Sequence, residues 1–511
     1  MKKKVAIIPI FFVVSSFIWI SVSIQSSGVL YYEKLTPLFS QNKSYKYIFP
    51  SDTEKSSLSY TAKDYIGLSN EVWDEDLTGE GVTVVVMDTG IYANHSVFTD
   101  NGSLNWDERI IAFYDEKVDG LSDTPYDAQW HGTWTASILG GNSSDYQGVA
   151  PDVKFVISKV FEMEKNVLMT EVSKVEDAVD WIIKNKEKYD IRIVSMSFGA
   201  KPEMDPDDYN MDEINELNEL ADKLVQEDLL VVAAAGNYGD EPGTVTAPGS
   251  SKSVLTVGGV DYDGEIFEDG GRGPTHEGAI KPDVCAPAVD VEGAKADITP
   301  NNFASHTGTS AATPFVSGLA ALMLEKDSDL SALELKSIIS LTSLRTIEPR
   351  IIKDNTQGWG IIQGYAALNA LEKPIQINQN FELKFSLDRD YGVYCQPITL
   401  KPNHYFFELN QLDSAEAEIY LFNSKPDKNG NPILLSHTIN DFSAIQRMGF
   451  FTFSTQNFYL VIKLIGNDEG NFKINLVFEF RLGIIIALSS IGIFSMVYII
   501  LQTSNLKKKR L

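Results

Sequence analysis

Short apolar runs that alternate with helical patterns dominate residues 79–372 and restrict what this chain can fold into. Each run is nearly continuous and rich in β-branched residues, which is typical of a strand buried on both faces of a sheet. The runs are Val82–Met87, Phe155–Ile157, Ile191–Met196, Leu229–Ala234 and Val254–Val257. Helical patterns lie between or after them, at Thr133–Gly140, Met169–Asn185, Met211–Glu227, Ser331–Ser340 and Gly364–Leu371. This alternation predicts an α/β domain whose mostly parallel sheet is covered by helices on both faces.

The pattern changes after Pro374, where short segments of alternating apolar and polar residues replace the helical ones. Examples are Tyr405–Leu409, Glu418–Phe422 and Tyr459–Leu464, and glycine-containing turn sequences separate such segments. The pattern predicts an antiparallel β-sandwich over residues 375–480. A chain of 511 residues also exceeds the roughly 250–300 residues that one core supports, so more than one domain is expected.

Both ends of the chain carry an apolar run with basic neighbours. Val5–Ile24 and Leu482–Leu501 each contain twenty residues without a charge, which is long enough to cross a hydrocarbon layer of roughly 30 Å. Lysines precede the first run, and three lysines and an arginine follow the second. Because basic clusters stay on the cytoplasmic side, we expect both termini to lie inside and the region between them outside.

Two interpretations of residues 1–24 stay open, a signal anchor or a signal peptide cleaved near Ser21–Ser23. Residues 25–70 are polar and irregular and are interpreted as a spacer or a short pro-segment. Residues 482–501 are predicted to form a transmembrane helix, and 502–511 a cytoplasmic basic tail. The sequence thus places the protein at the cell membrane, with its large central region extracytoplasmic.

The central region is strongly acidic, which bears on its partners. Residues 25–480 contain all 70 acidic residues but only 35 of the 43 basic ones, so this region carries about −35. Such a charge disfavours nucleic acid as a partner and favours solubility. The two cysteines, Cys285 and Cys395, fit no metal-ligand spacing, and the chain does not depend on a disulfide framework.

Polar residues follow the predicted strands where function collects in a parallel sheet, at the carboxyl ends. Asp88 comes directly after the first run, and Asn237 follows the fourth as a side-chain donor for an oxyanion. His131 opens the first helical pattern, where the helix dipole is expected to lower its pKa and keep it neutral. The other five histidines lack this context.

Ser310 lies at the start of the apolar segment Phe315–Leu324, which is typical of a buried helix. Pro314 is expected in the first turn of that helix, where a missing N–H costs nothing. Taken alone, the serine is either a cap of a core helix or a nucleophile held at the positive end of the helix dipole. The chain order Asp, His, Ser favours the nucleophile, because this order is one of those in which the Ser-His-Asp triad occurs.

Residues 70–372 resemble a subtilisin-like serine endopeptidase of the subtilase family. The resemblance is carried by Val84–Ile91, His131–Thr133, Ala234–Asn237 and Gly308–Pro314, with lesser matches at Gly148–Pro151, Ser197–Gly199, Val257–Val260 and Lys281–Pro287. It implies a subtilisin-like three-layer fold over 71–372. It also implies a peptidase that forms an acyl-enzyme with polypeptide substrates and needs no cofactor for its chemistry.

By this resemblance Asp88 orients the imidazole, His131 is the general base and then acid, Ser310 is the nucleophile and Asn237 donates to the oxyanion. Ser197, Phe198 and Gly199 would pair with an extended substrate, and Ala234 and Gly236 would line the pocket for the side chain before the cleaved bond. The 375–480 sandwich resembles the pre-peptidase C-terminal type of domain.

The sequence departs from the family in two respects. Ala311 follows the nucleophile where the family usually has methionine, and residues 25–70 are short for an inhibitory pro-domain. Structural calcium sites in the family lie on variable loops, and the sequence assigns no metal ligand here. The expected function is a membrane-anchored extracytoplasmic serine endopeptidase, and the alternative is a catalytically silent cell-surface binding module on the same scaffold.

Overall fold

The structure is a computed structural model that describes residues 29–30, 66–68, 77–99, 108–118, 120–165, 167–200, 211–296, 301–346, 352–377, 381–387, 392–412, 415–438, 445–465 and 470–478. The predictions for residues 1–24, 482–501 and 502–511, and for most of 25–70, lie outside these ranges and stay predictions. No helix within the described ranges is both long enough and apolar enough to cross a bilayer.

The described helices and strands follow the predicted alternation and then the predicted run of strands. The α-helices are α1 (His131–Gly140), α2 (Val172–Tyr189), α3 (Met211–Gln226), α4 (Thr309–Lys326), α5 (Ala332–Leu341) and α6 (Gly364–Asn369). The strands are β1 (Val29–Leu30), β2 (Thr83–Asp88), β3 (Ile110–Asp115), β4 (Gly120–Leu121), β5 (Lys154–Lys159), β6 (Glu162–Glu164), β7 (Val167–Met169), β8 (Ile191–Met196), β9 (Leu230–Ala234), β10 (Leu255–Val260), β11 (Val284–Pro287), β12 (Val291–Ala294), β13 (Phe303–His306), β14 (Ile375–Ile377), β15 (Phe381–Leu387), β16 (Val393–Leu400), β17 (Asn403–Gln411), β18 (Glu416–Asn423), β19 (Leu434–His437), β20 (Ile445–Thr452), β21 (Gln456–Ile465) and β22 (Gly470–Phe478).

An eight-stranded sheet in the order β11-β10-β9-β8-β2-β5-β3-β4 organises residues 77–372. All neighbouring strands are parallel except β3 and β4. Strand β2 lies near the middle, with Val85 opposite Val156 of β5 and Val194 of β8. The predicted α/β fold with a mostly parallel sheet is confirmed.

Helices cover both faces of this sheet because successive side chains of a strand point to opposite faces. Val84 and Val86 of β2 belong to one core cluster with the residues of α1, α4, α5 and α6. Val85 and Met87 belong to a second cluster, with the residues of α2 and α3. Every residue of β2 is buried, which explains why the sequence shows a continuous apolar run instead of an alternating one.

Two local predictions are wrong. Helix α2 begins at Val172 instead of Met169, because Val167–Met169 pairs with Glu162–Glu164 in a hairpin. Helix α4 begins at Thr309, so Pro314 lies in its second turn, where it removes the N–H that would bond the carbonyl of Ser310. The rest of the prediction for α4 is confirmed, since its residues from Ala311 to Leu324 are buried.

The Lys281–Pro287 motif fixes the β10–β11 edge through a buried carboxylate. Asp283 accepts hydrogen bonds from Lys281 Nζ at 2.6 Å, Lys353 Nζ at 2.7 Å and the backbone N–H of Thr256 at 3.0 Å. Burial by itself opposes ionisation, but the charges of Lys281, Lys336 and Lys353 outweigh it and hold the pKa of Asp283 far below its usual range. The Lys281–Pro287 motif therefore has a structural role at the β10–β11 edge.

The strands from β14 onward, together with β1 from the N-terminal part of the chain, form two five-stranded sheets, β1-β20-β17-β22-β15 and β14-β16-β21-β18-β19, that enclose a core of their own. Their strands pair antiparallel apart from β14 and β16, which are parallel. A β-rich region thus follows the α/β unit, as the alternating pattern predicts.

The second of these sheets packs against the α/β unit. Val393, Cys395, Phe422 and Val461 belong to the same core cluster as α1 and α4, and Phe422 meets Trp359 edge to face at 6.1 Å. Lys463 donates from Nζ to the carbonyl oxygen of Ser343 at 2.5 Å. The two cysteines are buried and free, and Cys395 acts here as a small apolar side chain. The sheet is therefore held to the α/β unit by an apolar interface and a lysine–carbonyl hydrogen bond, and not by a disulfide.

Candidate active site

Asp88 and His131 form a hydrogen-bonded pair at the carboxyl end of the sheet. Asp88 is the last residue of β2 and His131 the first residue of α1. The imidazole Nδ1 lies 2.8 Å from Oδ1 and 3.0 Å from Oδ2 of Asp88. Since a carboxylate only accepts, Nδ1 carries the proton, and Nε2 of the neutral ring is left as an acceptor.

Two glycines allow this pair to form. A methyl group on Gly132 would place its carbon 2.2 Å from the carbonyl oxygen of Gly90, and one on Gly90 would lie 2.0 Å from the carbonyl oxygen of Tyr126. Gly90 also has a φ of +120°, a region that favours glycine. The glycines of the Asp-Thr-Gly and His-Gly-Thr motifs therefore let the two chain segments approach closely enough for Asp88 to reach His131.

The surroundings of His131 shift its pKa upward. Its side chain is 21% exposed, whereas that of Asp88 is only 2% exposed. Burial alone would lower the pKa of His131, but the charge and hydrogen bond of Asp88, together with the charge of Asp127, outweigh burial and raise it. The expectation that the helix dipole would lower this pKa is therefore wrong, because a carboxylate at hydrogen-bond distance acts more strongly than a helix terminus.

Ser310 and Asn237 face one small space beside the start of α4. Asn237 Oδ1 accepts hydrogen bonds from the backbone N–H of Thr309 at 2.8 Å and from its hydroxyl at 2.9 Å, which fixes the orientation of the amide. A methyl carbon on Gly308 would lie 3.0 Å from Asn237 Nδ2 and 3.3 Å from Ser310 Oγ. The glycine thus keeps open the space between a hydroxyl and an amide donor.

The predicted substrate-binding residues lie on two segments, and a third segment, which contains Thr246, packs against both. Ser197, Phe198 and Gly199 directly follow β8, and Phe198 packs edge to face on Phe161 at 5.1 Å. Ala234 is the last residue of β9, and Gly236 follows it shortly before Asn237. The two segments come close together at this end of the sheet.

Thr246 fills the space between these two segments. A methyl carbon on Gly199 would lie 2.0 Å from Thr246 Oγ1, and one on Gly236 would lie 2.5 Å from Thr246 Cγ2. Thr246 donates its backbone N–H to the carbonyl oxygen of Ala235 at 3.0 Å, and the side chain is fully buried. Thr246 therefore packs against both of the glycines that the resemblance assigns to substrate binding.

Sequence reasoning missed three features of the site. Asp127 connects the motifs of Asp88 and His131, and its position four residues before His131, ahead of a helix, was a usable signal. Thr246 gave no signal, because only the fold brings it between two distant segments. His306 stacks on Trp130 with ring centroids 3.9 Å apart, and the Trp130 ring lies 5.8 Å from that of His131.

A metal site was left unassigned by the sequence. Across the part of the chain that the structure describes, no group of three or more histidine, cysteine, aspartate or glutamate side chains is arranged to hold a metal ion.

Comparison with known proteins identifies the family. The family model described as the subtilase family matches residues 79–360, more than half of the chain. The serine protease AprX of Bacillus subtilis (strain 168) is 31% identical over 293 residues, which cover 52% of this chain and 62% of AprX. Subtilisin-like protease SBT6.1 of Arabidopsis thaliana is 27% identical over 263 residues, which cover 50% of this chain and 22% of that protein.

A solved structure, that of the S41 psychrophilic protease, is 20% identical, with a TM-score of 0.50, and the match covers 60% of this chain and 98% of that one. This likeness shows the fold alone. The family match over residues 79–360 shows that the chain belongs to the subtilase family and has a subtilisin-like α/β fold. The chain spans less than two thirds of the length of AprX and of SBT6.1.

The pKa of His131 should lie above 6.5 and that of His306 below 6.5. Asp88 raises the pKa of His131, whereas burial and the charges of His131 and Lys295 lower the pKa of His306. We expect ¹³C-labelled histidine NMR of the full chain to show one ring titrating above 6.5 and another below, assigned by His131→Gln and His306→Gln. In Asp88→Asn the pKa of His131 should fall. A His131 that titrates below His306 would contradict this arrangement.

Proposed function

We propose that this protein is a serine endopeptidase that hydrolyses peptide bonds through an acyl-enzyme. The observation that carries the proposal is the hydrogen bond between Asp88 and His131 at the start of α1, together with the Ser310 hydroxyl and the Asn237 amide beside Gly308 at the start of α4. Helices α1 and α4 pack in the same core cluster. These residues come from four distant parts of the chain. A serine that only capped a core helix would not require Asp88, His131 and Asn237.

Each residue has a role in the proposed reaction. Ser310 Oγ attacks the carbonyl carbon, and His131 Nε2 takes the proton of the hydroxyl and then gives it to the leaving amine. Asp88 holds the imidazole in the tautomer with Nδ1 protonated and stabilises the imidazolium. The oxyanion is stabilised by Asn237 Nδ2 and by the positive end of helix α4.

The alternative is a catalytically silent binding module on the same scaffold. A silent relative needs no serine beside an oriented amide and no aspartate–histidine pair. The presence of all four side chains in hydrogen-bonded or facing positions favours the enzyme.

A fluorophosphonate probe distinguishes the two functions. We expect the full chain to be labelled at Ser310, with labelling abolished in Ser310→Ala and retained in Ser305→Ala, a control at an exposed serine five residues earlier. Asn237→Ala should lower kcat toward a peptide by about 10²–10³-fold with a smaller effect on KM, because its donor acts on the oxyanion. Equal labelling of the wild-type protein and Ser310→Ala would reject the enzyme.

Thr246 is expected to restrict which peptide bonds are cleaved. The side chain before the cleaved bond would enter the space between Gly199 and Gly236, and Thr246 already occupies it. In peptides that differ only at this residue, alanine or serine should be preferred to phenylalanine in kcat/KM by at least about tenfold, on the scale of one or two excess methylene groups.

Two variants of Thr246 distinguish the effect of its side-chain volume from that of its hydroxyl group. Thr246→Gly should bring the alanine and phenylalanine peptides closer in kcat/KM. Thr246→Val keeps the volume and should keep the preference for small residues. A wild-type preference for phenylalanine would contradict the restriction by Thr246.

We further propose that the protein is anchored in the cell membrane with its peptidase unit outside. The support is the pair of uncharged twenty-residue runs with basic neighbours at residues 2–24 and 481–510. Polypeptides are the expected substrates, and the net charge of about −35 between the runs disfavours nucleic acid.

Membrane fractionation tests the anchor. The full chain should stay in the membrane pellet after extraction at alkaline pH, and a variant that ends at residue 480 should be released to a larger extent. In intact cells, added protease should digest the region between the two runs. Complete extraction of the full chain at alkaline pH would reject the anchor.

A further inference from the structure

We propose that Asp127 is a positioning residue for the proposed reaction, the shared acceptor that aligns the Asp88 and His131 segments and a second negative charge beside the imidazole. This inference rests on the proposed function, since it concerns the same histidine. No step of the peptidase reaction described above uses Asp127.

The carboxylate of Asp127 accepts from both segments of the site. Its Oδ1 receives the hydroxyl of Thr89 at 2.7 Å, and Thr89 is the neighbour of Asp88. Its Oδ2 receives the backbone N–H of Thr133 at 2.9 Å and also the hydroxyl of Thr133, two residues after His131. One carboxylate therefore ties the end of strand β2 to the first turn of helix α1.

The two threonines pass the connection on to the backbone. Thr89 Oγ1 accepts the N–H of Gly132 at 2.8 Å, and Thr133 Oγ1 accepts the N–H of Tyr92 at 2.8 Å. Each segment thus binds the other directly as well as through Asp127. The network fixes the relative position of Asp88 and His131 to the precision that proton transfer requires.

Asp127 also replaces a missing helix cap. The residue before α1 is Trp130, which makes no side-chain cap, so the first N–H groups of the helix need another acceptor. Asp127 Oδ2 fills this role at Thr133, and Asp127 Oδ1 accepts the N–H of Gln129 at 2.9 Å. A carboxylate is also stabilised at the positive end of a helix.

The charge of Asp127 reaches His131. Two carboxylates act on this imidazole from different elements, Asp88 at the end of β2 and Asp127 ahead of α1. The charge of His131 in turn lowers the pKa of His306, at the end of β13. The donors to Asp127 are hydroxyl and amide groups, so these contacts do not cancel its charge. Asp127 accordingly adds to the effect of Asp88 in raising the pKa of His131.

The first test measures the His131 titration directly and needs no catalysis. In the full chain carrying Ser310→Ala, histidine NMR should show that Asp127→Asn lowers the pKa of His131. Asp123→Asn removes an exposed carboxylate from the same loop and should leave that pKa in place. An unchanged His131 titration in Asp127→Asn would overturn the inference, whether or not the protein is active.

The second test uses kinetics with Ser310 intact. Because the base stays neutral to lower pH when its pKa falls, Asp127→Asn should move the acidic limb of kcat/KM to lower pH. Misalignment should also reduce kcat by up to about 100-fold, with little change in KM. Lower activity with an unmoved acidic limb would show a purely structural residue and overturn the inference.

Asp127→Glu covers the case in which the asparagine variant does not fold. It keeps the charge but displaces both oxygens, so it should retain the high pKa of His131 and lose part of kcat. A lowered His131 pKa in Asp127→Glu would contradict the assignment to charge. If the wild-type protein is not labelled by a fluorophosphonate, the proposed function fails. The NMR titration still tests whether the charge of Asp127 raises the pKa of His131.

Discussion

The contact between Gly90 and Gly132 is the constraint on which the rest of the site depends. A side chain on Gly132 would meet the carbonyl oxygen of Gly90 at 2.2 Å. Only without side chains do the end of β2 and the start of α1 come close enough for Asp88 to reach His131 at 2.8 Å. Since β2 and α1 are each buried in the same core cluster, the contact is held by the packing of the whole unit. The reactive pair is thus a consequence of backbone packing, not of side-chain reach.

The other half of the site depends on a buried helix. Helix α4 is buried along nearly all of its length, so the core determines where its first turn lies. Asn237 then binds Thr309 through both the backbone and the hydroxyl, which turns its amide donor toward the space beside Ser310. Gly308 leaves that space empty of protein atoms. A rigid helix start therefore supplies both a position for the hydroxyl and an electrostatic environment for an anion.

Few charged side chains act on His131, although the region around the site is strongly acidic. The central region carries about −35, but the carboxylates that matter for His131 are Asp88 and Asp127, and both are held by fixed donors. At the opposite flank, lysines surround the buried Asp283. The second β-sheet of the C-terminal region adds an apolar interface to the same unit.

The sequence by itself determined the fold class and the chemistry of the candidate residues. Continuous β-branched runs predict buried parallel strands, and Asp88, His131, Asn237 and Ser310 follow from their places at strand ends and helix starts. These signals are local, and so they survive in a one-dimensional pattern. The start of α4 and the parallel β14–β16 pair depend on contacts with residues elsewhere in the chain, which no local pattern records. The β6–β7 hairpin is local, but its second strand lies directly before α2 and was included in the helical pattern.

Only the tertiary structure decided which side chains surround the site. Thr246 lies between Gly199 and Gly236 because three loops converge at one sheet edge. The direction of the His131 pKa shift depends on whether burial or the nearby carboxylates have the larger effect, and this requires distances. The sequence by itself indicated the candidate residues, since the chemistry of a side chain depends on its residue type. Their surroundings belong to the fold, because they come from residues far apart along the chain.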